Sequence, residues 1–126
     1  MSYHIFISHS AKDKRLAQDL AQRLKEAGAT VISDAAGFSP GEEFRQKIRE
    51  TLRRVDEVIV LLTDNSAHSP WTRYEIGVAD ALNKRVTPVV VDEGVQNFLP
   101  MIGGEVIQYD ALSKYISSLK KRTKAP

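Results

Sequence analysis

The chain has 126 residues, with 42% apolar and 27% charged residues, no cysteine and a formal net charge of +2. That is the size and makeup of one globular domain with a core of its own, which excludes intrinsic disorder, collagen-like repeats and coiled coils. The missing thiols exclude a disulfide framework, thiolate metal sites and a cysteine nucleophile. One domain is expected over 1–126, with a core from about 3 to 119 and a basic C-terminal tail over 120–126.

Taken in order, Tyr3 to Ser8 (YHIFIS) is apolar and partly β-branched, as in a buried strand. Asp13 to Ala27 repeats apolar residues at Leu16, Ala17, Leu20, Ala21, Leu24 and Ala27, one face of a helix, and Gly28 supplies the stop. Ala29 to Ser33 is a second strand, followed by a loop of turn residues from Asp34 to Gly41. A helix from about Glu42 carries Phe44, Ile48 and Leu52 at four-residue spacing. Val55 to Thr63 is the most hydrophobic strand and is expected at the centre of the sheet. Ser69 reads as an N-cap and Pro70 as the first residue of a helix running to about Asn83. Arg85 to Asp92 is a fourth strand, whose Pro88 suggests a position nearer an edge or an irregular pairing. Glu93 to Gly104 reads as a loop or short helix. Glu105 to Tyr109 is a fifth strand, and Leu112, Tyr115, Ile116 and Leu119 mark a last amphipathic helix.

Five strands alternating with helices predict an α/β fold with a parallel sheet covered on both faces. The longest apolar run, Val58 to Leu62, is far too short to span a bilayer, so no membrane span is expected. Met1-Ser2-Tyr3 leads into a strand without the layered pattern of a secretory signal, and the cytoplasm is the expected location. The basic residues Lys114, Lys120, Lys121, Arg122 and Lys124 crowd the C-terminus, where they complement a helix dipole. No aromatic residues are interleaved with them for base stacking, and no nucleic-acid partner is expected.

Ligands of such folds gather outside the carboxyl ends of the strands. Three segments therefore hold the candidates: Ser8 to Lys12, Asp34 to Gly41 and Asp64 to Glu75. No Gly-rich phosphate signature follows any strand, and no histidine has metal-ligand spacing, so neither a metal nor a resident cofactor is expected. The Ser8-His9-Ser10 run lacks a nucleophile elbow. His9 is either a ligand-zone residue or one that bonds nearby backbone, whereas His68 reads as a solvent-facing loop residue. Asp34 either starts its turn or receives ribose hydroxyls. Phe38 is either folded inward or an exposed contact for another chain. Trp71 and Glu75 are one turn apart on one face near a helix N-terminus. A negative charge is favoured there, so the pair is either a core tryptophan with a helix-start glutamate or an aromatic wall beside an ionised carboxylate. The latter arrangement could stabilise the oxocarbenium-like transition state of N-glycosidic cleavage.

The stretches "YHIFISHSAKDK", "DAAGFSPGEEFRQKIRETL" and "VDEVIVLLTDNSAHSPWTRYEIGVADAL" together resemble a Toll/interleukin-1 receptor (TIR) domain of the bacterial kind, over about Tyr3 to Leu119. The resemblance implies a flavodoxin-like three-layer fold with strand order 2-1-3-4-5. It also implies an activity: cleavage of NAD between nicotinamide and ribose, giving ADP-ribose or a cyclic isomer, with NAD as substrate and no cofactor, in bacterial defence or signalling. The family's catalytic glutamate falls on Glu75 and its aromatic on Trp71. Phe6, Ser8, His9, Ser10 and Asp34 fall on its nucleotide-pocket walls. Gly37, Phe38, Ser39, Pro40 and Gly41 fall on the loop through which its members assemble with like domains. Two other readings remain: a non-catalytic module acting by TIR–TIR assembly, and an enzyme like the nucleoside deoxyribosyltransferases, whose fold is similar and also carries a glutamate. Phe38-Ser39 stands where animal receptor and adaptor domains tend to carry Arg-Asp, which weighs against an adaptor role.

Overall fold

The computed structural model describes residues 2–33, 42–92 and 106–123, with backbone only for 33 and 42–44. Five strands, β1 (His4–Ser8), β2 (Thr30–Ser33), β3 (Glu57–Leu62), β4 (Arg85–Val90) and β5 (Ile107–Gln108), form one sheet in the order β2-β1-β3-β4-β5. Every pairing is parallel. The expected order is therefore the observed one, with β3 at the centre. Among the described residues the sheet is accompanied by five α-helices: α1 (Lys14–Glu26), α2 (Glu42–Arg54), α3 (Asp64–Ala67), α4 (Pro70–Ala81) and α5 (Leu112–Thr123). None of the described helices is long and apolar enough to cross a membrane.

Strand side chains alternate between faces, and here both faces are covered. Ile5, Ile7, Ile59, Leu61 and Val89 pack under α1 and α5, against Leu20, Leu24, Leu112 and Leu119. Phe6, Val58, Val60, Leu62 and Val90 pack on the other side, against Ile48 and Leu52 of α2 and Ile76 and Ala79 of α4. Two helices end alike. After α1, Gly28 takes φ +102° while the amides of Gly28 and Ala29 donate back to Lys25 and Leu24. After α4, Asn83 takes φ 57° while the amides of Asn83 and Lys84 donate to Asp80 and Ala79. Both are Schellman motifs, which close the helix and redirect the chain into a strand.

Differences from the expected elements are local. Pro88 lies opposite Val60 on β3, and β5 pairs only with Val89 and Val90, so the proline is spared a ladder on its β5 side. Between β3 and α4 lies the short α3, for which no element was expected and which Thr63 and Ser66 close by a reciprocal capping box. Lys120, Lys121 and Arg122 form the last turn of α5. The segment 93–104 lies outside the described residues.

Glu57, at the entry end of β3, is fully buried. Four groups donate to its carboxylate: Tyr3 (2.6 Å), Thr87 (2.5 Å), Tyr115 (2.9 Å) and the Arg122 guanidinium (2.9 Å), with Arg85 Nε 3.8 Å away. The cluster ties β1, β3, β4 and α5 together at one end of the sheet. Removing the carboxylate would strand Arg122 and three hydroxyls. Glu57→Ala is therefore expected to cost about 3 kcal/mol in urea unfolding, or to prevent folding.

Burial pushes the Tyr3 phenol up from 10.0 to about 12, aided by its hydrogen bond to Glu57. Burial and the Glu57 charge also raise Tyr115 well above the ordinary tyrosine range. Above pH 10 the unfolded chain ionises at tyrosines that the folded chain keeps protonated, which favours unfolding. Stability is therefore full below pH 10 and falls as the pH rises towards 12. Urea midpoints measured at pH 8, 10 and 11 should decline over the last interval, and less steeply in Tyr3→Phe.

Candidate active site

Alternation along β1 places Ser8 on the same face as Phe6, beneath α4. That helix is seated at its start by Ser69, whose hydroxyl accepts from the Thr72 amide at 3.3 Å, and by Pro70 at the first helical position. Thr72, Glu75, Ile76 and Ala79 then face the sheet and are buried. Glu75 is 0% exposed, and Ser8 Oγ donates to its Oε1 at 2.7 Å. A carboxylate inside the protein at the carboxyl end of the sheet is thus fixed by a hydroxyl from the adjoining strand.

Trp71 is half-buried against the same core and stacks on Tyr74, with ring centroids 5.1 Å apart and planes 20° from parallel. Arg49 donates to the Tyr74 hydroxyl at 3.0 Å, and the Arg45 guanidinium lies 5.8 Å from the Tyr74 ring centre. The aromatic wall next to Glu75 is thereby joined to α2.

The turn after β1 is built from the predicted residues in a different way. Ser10 caps a 3₁₀ turn over Ala11–Asp13 by accepting from the Lys12 amide at 3.2 Å. His9 is buried, with Nδ1 2.8 Å from the Ser10 carbonyl oxygen. A carbonyl only accepts, so Nδ1 carries the proton and His9 is bonded to nearby backbone. Asp13 accepts from Thr63 (2.5 Å) and Asn65 (3.1 Å), which fastens this turn to α3. His68 is exposed, as expected.

Two residues expected on the pocket wall sit deeper. Phe6 is 1% exposed and belongs to the core under α2 and α4, and Ser8 lies behind Glu75. The cause is the covering of this sheet face by α4, which leaves strand residues as support. Asp34 and the loop residues Gly37, Phe38, Ser39, Pro40 and Gly41 lie outside the described residues. Tyr74, Arg45 and Arg49 were missed, because contacts between two helices leave no trace in the periodicity of either. Among the described residues no group of histidine and acidic side chains could hold a metal ion. A cleft of about 600 Å³ runs along β4, β5 and α5, lined by Arg85, Val106, Tyr115 and Arg122. Neither Glu75 nor Trp71 lines it.

An all-parallel sheet in the order 2-1-3-4-5, covered by helices on both faces, defines a flavodoxin-like α/β domain. The pattern that defines the TIR domain matches residues 5–122, and the chain belongs to that family. It is 29% identical to a probable 2' cyclic ADP-D-ribose synthase of Brucella abortus, TcpB, over 97% of this chain and 50% of that protein. It is also 29% identical to the 2' cyclic ADP-D-ribose synthase AbTIR of Acinetobacter baumannii, over 94% of this chain and 46% of that protein. The chain thus spans about half the length of these relatives. Among solved structures, the TIR domain of a Toll-related receptor from Hydra magnipapillata superposes with a TM-score of 0.64 at 15% identity, covering 96% of this chain and 94% of that one.

The seat of α4 can be tested separately from any chemistry. Ser69→Ala should destabilise the domain by about 1 kcal/mol, lowering the thermal midpoint by ~4 °C. Thermal denaturation followed by circular dichroism measures it.

Proposed function

We propose that this domain cleaves the bond between nicotinamide and ribose in NAD, with Glu75 as the catalytic carboxylate. The observation that carries the reading is the buried Glu75, held by Ser8 at 2.7 Å beside Trp71 at the carboxyl end of the sheet. Family membership and the names of the relatives, cyclic ADP-ribose synthases and NAD(+) hydrolases, support it.

Nicotinamide departs from a cationic riboside, taking the electron pair of the C–N bond and leaving as a neutral molecule. No strong acid is required. What the reaction needs is negative charge near the anomeric carbon as positive charge spreads onto the ribose. An ionised Glu75 supplies it, Ser8 keeps the carboxylate aimed, and Trp71 provides a flat wall for a base. Water captures the ribosyl cation and loses a proton, or a nucleophile of the same molecule closes a ring. No metal or prosthetic group takes part in this scheme. The loop from Gly37 to Gly41 is proposed to bring like domains together and complete the pocket, so activity should grow with assembly.

Nicotinamide release from NAD, followed by chromatography, should rise steeply with protein concentration. Glu75→Gln should remove it while the fold is kept. Ser8→Ala should lower kcat by roughly ten- to a hundredfold, because one hydrogen bond to a charged group is lost. Persistence of full activity in Glu75→Gln would refute the assignment.

A further inference from the structure

The wall formed by Trp71 continues onto a second helix. Helices α2 and α4 cover the same face of the sheet, and each follows a parallel strand, so both begin at its carboxyl end. Arg45 stands in the first turn of α2 and Trp71 in the first turn of α4. Between them lies Tyr74, with the Arg45 guanidinium carbon 5.8 Å from its ring centre and Trp71 stacked at 5.1 Å. Arg45 therefore lies no farther from the Trp71 ring than those two distances added together. Arg49 donates to the Tyr74 hydroxyl at 3.0 Å, which holds the ring against which Arg45 rests. Both arginines are exposed, and among the described residues neither is within ion-pair distance of a carboxylate.

We propose that Arg45, kept in place by Tyr74 with Arg49 behind it, recognises the diphosphate of the substrate. The inference rests on the reading of Glu75 and Trp71 as an NAD-cleaving site and adds the residue that would select a dinucleotide. In NAD the scissile bond is one ribose away from two negatively charged phosphates. With that ribose at Glu75 and its base on Trp71, the phosphates must pass over neighbouring surface. A carboxylate there repels them, so a cation has to be near. A guanidinium resting on an aromatic ring keeps its charge, and its planar fork of N–H groups suits phosphate oxygens. The same contacts could serve only to tie α2 to α4, and the two roles differ in what they predict for ligands without phosphate.

Trp71 is the only tryptophan, so its fluorescence reports binding without turnover. The wild-type chain, Arg45→Gln and Arg45→Lys are titrated with ADP-ribose and with adenosine, after thermal melts have shown that all three fold. Arg45→Gln should weaken ADP-ribose binding roughly tenfold or more relative to adenosine, and Arg45→Lys should recover part of the loss. The ratio of kcat/KM on NAD to that on nicotinamide riboside should fall in the same order. Equal weakening for both probes, no change for either, or no response of the wild type to ADP-ribose overturns the proposal. If the wild type releases no nicotinamide but its ADP-ribose binding depends on Arg45, the diphosphate site stands and the catalytic reading falls. If it cleaves NAD and Arg45→Gln leaves the preference over nicotinamide riboside unchanged, the reverse holds.

Discussion

A parallel sheet buried on both faces leaves almost no interior position for a polar side chain. Each strand must be apolar on alternate residues towards α1 and α5 and on the intervening residues towards α2 and α4. Polar groups are thereby driven to the strand ends, and two fully buried carboxylates occupy opposite ends of this sheet. Glu57 stands where β3 enters, and Glu75 reaches in from α4 where β1 leaves.

The two carboxylates answer the cost of burial in different ways. Glu57 is surrounded by Tyr3, Thr87, Tyr115 and Arg122, one cation and three hydroxyls that together compensate its desolvation. It is thus a fixture that joins the last helix to three strands. Glu75 is oriented by the Ser8 hydroxyl from β1, while Trp71 sits one turn before it on the same helix. The hydroxyl fixes the direction of one carboxylate oxygen. The Glu57 cluster thus stands at the opposite end of the sheet from Glu75.

Much of this was legible in the sequence, because the features that decide it are local or periodic. The alternation in Val55 to Thr63, the four-residue spacing in α1 and α2, Gly28 and the Ser69-Pro70 start each state a local rule, and each element formed where its rule placed it. Trp71 and Glu75 were paired by helical spacing. What stayed hidden depends on which elements become neighbours. Nothing in the local pattern singles out Glu57, since Arg122 lies 65 residues away in the chain. Arg122 itself read as a dipole-complementing residue of a basic tail. Ser8 and Phe6 were assigned to the pocket wall by the family resemblance, whereas the packing of α4 over β1 decides their depth. Tyr74 was passed over because its partners, Arg45 and Arg49, belong to another helix.

The faces of helix α4 have separate tasks. Thr72, Ile76 and Ala79 bury it against the sheet, Glu75 meets Ser8, and Tyr74 meets α2. A rigid helix transmits displacement along its length, so the height at which Ile76 and Ala79 pack also fixes the depth of Glu75. Its rotation sets whether Trp71 faces the site or the core. The Ser69 cap and Pro70 fix where the helix begins, and Arg49 restrains the side turned towards α2. Because α2 continues directly from the segment 34–41, a shift of α2 would change the support under Tyr74, and through the stacked rings the orientation of Trp71. The geometry at Glu75 is therefore a property of how α2, α4 and β1 pack together, and substitutions in that packing can alter it from a distance.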